Sequence, residues 1–230
     1  MYFDPMYFLF IAPAFLFSLW ASWRTKANFK VYSKVPVSSG MSGAEAARRL
    51  LDGAEIHDVE ITHSRGMLSD HYNPVKKTLA LSDGVFDSRS LAAVGIASHE
   101  AGHAIQHAKH YGPLKLRSML VPTASIGSNL GYFVMLIGLF MSSANMVMAG
   151  AVLFSMVLLF QIVTLPVEFD ASNRAKALVV EQGIVGADER RGMDKVLNAA
   201  AMTYVAAVAS SISTLLYFLV RAGLLGGRRD

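Results

Sequence analysis

Four runs of apolar residues, each close to the roughly 20 needed to cross a bilayer as a helix, leave this chain few ways to fold. They lie at about Tyr7 to Trp23, Met119 to Met141, Asn145 to Leu165 and Ala199 to Val220. Only a few small residues around Ser142 to Ala144 separate the middle pair, which therefore forms a tight helical hairpin. Four such runs in 230 residues, 53% of them hydrophobic and only 17% charged, mark a membrane protein rather than a soluble domain with buried helices. No Lys or Arg precedes the first run, Asp4 stands at its start, and Arg24, Lys26, Lys30 and Lys34 follow at once. Those flanks are the reverse of a signal peptide's, so the run reads as a retained anchor.

Four crossings put residues 24–118 and 166–198 on one side of the membrane, with the N-terminus, the hairpin tip and the C-terminal tail on the other. All of the 21 Lys and Arg residues except Arg221, Arg228 and Arg229 fall on the first side. Positive charge stays inside, so both polar segments are expected in the cytoplasm of a multi-pass cell-membrane protein. The formal charge of +4 is accounted for in this way and does not point to nucleic acid. The expected organisation is an anchor at 1–23, an α+β catalytic segment at 24–118 and a membrane hairpin at 119–165. A helical segment at 166–198 and a fourth membrane helix with tail at 199–230 complete it.

Within the first polar segment, Ser42-Gly43-Ala44-Glu45 is a capping-box pattern opening a helix that runs to about Asp52 and stops at Gly53. Ile56 to Ile61 and Lys77 to Ser82 alternate as strands do, with Asn73-Pro74 marking a turn before the second. A helix then starts near Ser88 or Ser90 and continues to about Lys109, ending before Gly112 and Pro113.

That last helix contains His99-Glu100-Ala101-Gly102-His103. Residues four apart share a helix face, so the two imidazoles can reach one zinc ion and Glu100 can reach a water on it. The chain has no cysteine, so any metal is held by His and carboxylates. Catalytic zinc usually keeps three protein ligands and an open position. His107 lies eight residues from His99, about 12 Å along a straight helix, too far for the same ion. The longer pattern H-E-x-x-H-x-x-G-x-x-H fails, because Gln106 and Lys109 stand at its Gly and last His positions. His107 and His110 then read as solvent-facing or supporting residues. A carboxylate from a separate helix remains, and Glu168 stands out. It follows the third apolar run, beside Pro166 as a first helical residue, on the side where the His99 helix enters. Glu181 and Glu189 lie farther along in ordinary charged surroundings.

The reading is peptide hydrolysis by a zinc-activated water, with His99, His103 and Glu168 as ligands of one ion and Glu100 as general base. Arg174 and Tyr204 are candidate donors to the oxyanion. The strand Lys77, Thr78, Leu79, Ala80, Leu81, Ser82 could offer a free edge to which an extended peptide adds.

These residues resemble the YugP-type membrane-embedded neutral zinc metallopeptidases of bacteria. The likeness covers nearly the whole chain: Asp4-Pro5, Ser42-Gly43-Ala44-Glu45, Asp70-His71-Tyr72, the run Ala97 to His107, Gly112-Pro113-Leu114 and Arg117. It continues through Val163 to Ser172 and Thr203 to Ala207. The resemblance implies a zinc peptidase with His99 and His103 as ligands and Glu100 as catalytic. More distantly, the layout is similar to the HtpX-type and prenyl-protein proteases, which carry their third-ligand Glu in a Glu-Phe-x-Ala-Asp run. Here Glu168-Phe169-Asp170-Ala171-Ser172 departs from it. Ser172 stands where their Asp orients a zinc-bound His, and Asp170 sits two residues earlier on another face. Ser172 or Asn173 could accept the imidazole N–H instead.

The expected fold is mainly α, with four transmembrane helices and a small α+β zincin-like catalytic domain. Expected partners are a protein or peptide substrate and the lipid bilayer. Two other classes compete: a zinc-binding membrane scaffold or chaperone-like protein, which would need no Glu100, and a zinc amidase on a small substrate. A transporter fits least, because the crossing segments lack paired charges.

Overall fold

The computed structural model describes residues 4–66 and 69–225; Arg228 and Arg229, used above for orientation, lie outside the described residues. In chain order the elements are α1 (Pro5–Tyr32), α2 (Gly43–Gly53), β1 (Glu60–Ser64), β2 (His71–Asn73), β3 (Thr78–Ser82), α3 (Asp83–Phe86) and α4 (Leu91–Ala108). Then follow α5 (Gly112–Ile126), a π turn (Gly127–Gly131), α6 (Tyr132–Phe140), α7 (Ala144–Glu181) and α8 (Ala187–Arg221). The protein is mostly helical, and α1, the α5–α6 stretch, α7 and α8 are each long and apolar enough to cross a membrane. The chain divides into two compact units, one of Met1–Ala21, Leu116–Leu165 and Thr203–Asp230, the other of Ser22–Lys115 and Pro166–Met202.

The first unit is built from apolar helix. Its inner faces bring Met135, Val147, Phe154 and Phe218 together, while Phe8, Leu9, Leu16, Phe133 and Phe140 stay exposed. Such side chains suit contact with lipid and not with water. Asp4 and Pro5 open α1 as a cap and first helical residue: Met6 N–H donates to Asp4 Oδ1 at 3.0 Å. The other oxygen of Asp4 accepts from Tyr217 Oη at 3.1 Å and Arg221 Nε at 3.0 Å, tying the start of α1 to the end of α8. In the hairpin, a Cβ on Gly131 would meet Phe154 N at 2.7 Å and one on Gly150 would meet Met135 N at 2.5 Å. Backbones this close need glycine, the usual device for packing helices in lipid.

The second unit has its own core, with Leu50, Leu51, Leu79, Leu81, Val85, Leu91, Ile105, Ile184 and Met193 at its centre. The capping box of α2 forms in both directions: Glu45 N–H donates to Ser42 Oγ at 3.2 Å and Ser42 N–H to Glu45 Oε2 at 2.7 Å. The small sheet has the order β1-β3-β2, with β1 parallel and β2 antiparallel to β3. Asn73 Oδ1 accepts from Val75 and Lys76 N–H, both at 3.0 Å, and so builds the turn between β2 and β3.

Three expectations are corrected. The segment Lys77–Ser82 is not an edge: among the described residues Thr78–Ser82 is the central strand, paired with β1 along its length and with β2 over Thr78–Ala80. Its sequence alternation signalled a strand without distinguishing edge from centre, and Leu79–Ser82 are in fact all buried. The first strand begins at Glu60 rather than Ile56, because Ile56 and Val59 bury into the core from a loop. Pro166 opens no helix; α7 runs unbroken through it.

Candidate metal centre

Helix α4 is capped by Ser90, whose Oγ accepts from Ala93 N–H at 3.3 Å, and its Ala- and Gly-rich turns are almost wholly buried. One turn of it stacks His99 over His103, with ring centroids 4.7 Å apart and planes crossing at 81°. Glu168 of α7 reaches both: its Oε2 stands 3.2 Å from His99 Nε2 and 3.5 Å from His103 Nε2. Zinc held at roughly 2.0–2.1 Å by tetrahedral ligands sets them roughly 3.3 Å apart, close to the distance at which the carboxylate oxygen stands from each imidazole. Among the described residues, this is the one group of three His, Asp or Glu side chains near enough to share a metal. The donor set, two imidazoles and one carboxylate, fits zinc.

The approach of α7 depends on Gly102, the residue before the second histidine of the motif. A Cβ on Gly102 would stand 2.6 Å from Ala171 O, so α4 and α7 touch backbone to backbone there. Val167, Ala171 and Ala175 bury the same face of α7, which carries Glu168 inward. Ser172, one turn on, lies with its Oγ 3.0 Å from His99 Nδ1. Nδ1 of His103 lies 3.0 Å from Gln106 Oε1, a residue to which the sequence reading gave no role. Its signal was available: three positions after His103 is the same helix face.

Other candidates fall elsewhere. Asn173 is exposed, because the residue after Ser172 turns to the next face of α7. Asp170 does not meet His99; its Oδ2 accepts from Gln106 Nε2 at 2.7 Å and Arg174 Nε at 2.6 Å. Arg174 is thus paired, and its guanidinium lies 5.7 Å from the centre of the Tyr111 ring. Tyr204 is half-buried on α8 and belongs to the apolar unit. His110 is exposed, while His107 Nδ1 lies 2.8 Å from Tyr72 Oη. Burial, aided by the Asp58 charge, pushes that phenol up to about 12, so it remains protonated.

The three side chains act on one another electrostatically. Burial opposes charge on His103, but the hydrogen bond it donates to Glu168 and the charges of Glu100 and Glu168 outweigh it and hold its imidazole above the ordinary value. Burial likewise opposes charge on Glu168, and the two imidazoles overcome this to keep its carboxyl below the usual range. Glu100 is buried on α4 beside this pair.

Comparison with known proteins agrees with this geometry. Residues 7–223 match the family described as "Putative neutral zinc metallopeptidase". The chain is 45% identical over 216 residues to "Putative membrane protease YugP" of Bacillus subtilis, covering 94% of this chain and 96% of that one. No solved structure matches. With nearly its full length matched, its four apolar helices and its buried histidine–carboxylate cluster, the chain belongs to this family of neutral zinc metallopeptidases.

Proposed function

We propose that the protein is a membrane-embedded zinc endopeptidase, with His99, His103 and Glu168 as ligands of one ion and Glu100 as general base. The observation that carries this reading is the convergence of two imidazole Nε2 atoms and one carboxylate oxygen within 4.8 Å, beside a buried glutamate. The printed name of the Bacillus relative, a membrane protease, favours the same class of reaction. Bound at the three donors, zinc supplies a Lewis acid and lowers the pKa of a water to about 7. Glu100 would serve as the base that takes a proton from an attacking water and returns it to the departing amine. Ser172 holds His99 by its second ring nitrogen, which keeps Nε2 turned inward.

A peptide needs a strand edge, and β3 is the central strand of its sheet. Among the described residues β2 pairs on one side only, and its Tyr72 reaches His107 of the metal helix. An extended substrate adding along His71–Asn73 would lie beside α4. The polar segments 24–118 and 166–198 face the cytoplasm in this reading, which the Lys and Arg that directly follow the first apolar run support.

The test uses detergent-purified protein, its metal content and its chelator-reversible cleavage of casein. Glu100→Gln is expected to keep zinc and lose activity by roughly 100-fold or more, and Glu168→Ala to lose the metal itself. An active Glu100→Gln protein, or a Glu168→Ala protein with full zinc, removes the corresponding assignment.

A further inference from the structure

Gln106 is fully buried, and every polar atom of its side chain is engaged. Its Nε2 donates to Val167 O at 2.9 Å and to Asp170 Oδ2 at 2.7 Å. Both partners accept: a backbone carbonyl has no proton, and Asp170 Oδ2 already accepts from Arg174 Nε at 2.6 Å. The amide therefore cannot be reversed, since turning it would set Oε1 against two acceptors. With Nε2 committed to α7, Oε1 must face His103, where it lies 3.0 Å from Nδ1. An oxygen can pair with that nitrogen only if the nitrogen carries the proton. A neutral His103 protonated at Nδ1 keeps its lone pair on Nε2, the atom that faces Glu168 at 3.5 Å.

We propose that Gln106 is a positioning residue for His103, its amide orientation locked by Val167 O and Asp170 so that Nδ1 holds the proton and Nε2 is presented to the metal. This rests on the reading of His99, His103 and Glu168 as metal donors. It also gives Asp170 and Arg174 a task. They act on His103 through Gln106, while Ser172 serves His99. Ser172 of α7 thus orients His99 directly, and Val167 and Asp170 of the same helix act on His103 through Gln106 of α4.

Zinc affinity of the full-length protein in detergent, measured by competition with a chromophoric chelator, tests this. The visible absorption of the cobalt-substituted protein provides a second readout. Gln106→Met removes the acceptor and both donors at similar volume; it is expected to weaken zinc binding roughly 10- to 100-fold and to alter the cobalt spectrum. Gln106→Glu keeps an oxygen for Nδ1 while placing a carboxylate beside Val167 O and Asp170, so it is expected to lower thermal stability yet bind zinc more tightly than Gln106→Met. Asp170→Asn, at a half-buried position, releases one of the two constraints and is expected to weaken zinc by roughly a few-fold. Equal affinity in Gln106→Met and the parent, alongside loss of zinc in His103→Ala, overturns the role of Gln106 and leaves the metal site standing. Equal loss in Gln106→Met and Gln106→Glu, tracking their stability, reduces Gln106 to a packing residue. Retention of zinc by His103→Ala brings down the site and this inference together.

Discussion

At the scale of single residues, four-residue spacing placed His99 and His103 on one face, and the structure sets their rings 4.7 Å apart. Glu168 was singled out by its place after an apolar run, and its Oε2 lies between them. Gln106 was illegible because a side chain's orienting role depends on partners, Val167 O and Asp170, that come from a helix sixty residues away. A pH dependence follows from the same atoms. With no metal, Glu168 and Glu100 hold the His103 imidazole above its ordinary value, so its proton persists to higher pH than usual. A metal needs that nitrogen neutral and must displace the proton. Apparent zinc affinity is expected to rise with pH, and its fall on acidification to begin at a higher pH than an ordinary imidazole would give. Competition titrations at several pH values measure the slope; a flat profile contradicts the assignment of His103 as a donor.

At the scale of elements, the helices were the most legible parts, since apolar runs and caps are local signals. Ser42 and Ser90 mark the starts of α2 and α4, and the tight turn near Ser142 separates α6 from α7. Strand order was not legible, because β3 pairs with residues on both sides of it in space and alternation within one segment says nothing of neighbours. Continuity across Pro166 was also hidden: a proline favours a first turn by local rule, and here the surrounding helix carries on through it. The capping box offers a quantitative check. Ser42→Ala removes the Oγ that accepts from Glu45 N–H, and is expected to cost about 1 kcal/mol of stability without changing zinc content. Thermal unfolding and metal analysis on one preparation measure both; a stability unchanged by Ser42→Ala contradicts the role of the cap.

At the scale of the whole molecule, the absence of cysteine makes orientation simple to test. Val75 is exposed on the β2–β3 turn and Ala144 is exposed at the hairpin tip. In intact cells a membrane-impermeant maleimide is expected to label Ala144→Cys and to spare Val75→Cys until the cells are opened; the reverse pattern inverts the topology. The sheet-bearing unit joins two stretches distant in sequence, 22–115 and 166–202, and they meet at Gly102 against Ala171 O. That contact would work as a spacer gauge for an ion bound there. The hole between the two imidazoles and Glu168 can be no wider than the gap between two helices already touching, so a single methyl group resizes it. Gly102→Ala must part α4 from α7 and draw the carboxylate away from the imidazoles. Such a protein is expected to prefer cadmium, the larger ion, over zinc more strongly than the parent does. Competition between the two metals for the same protein reads out that shift, and an unchanged ratio means the gauge lies elsewhere.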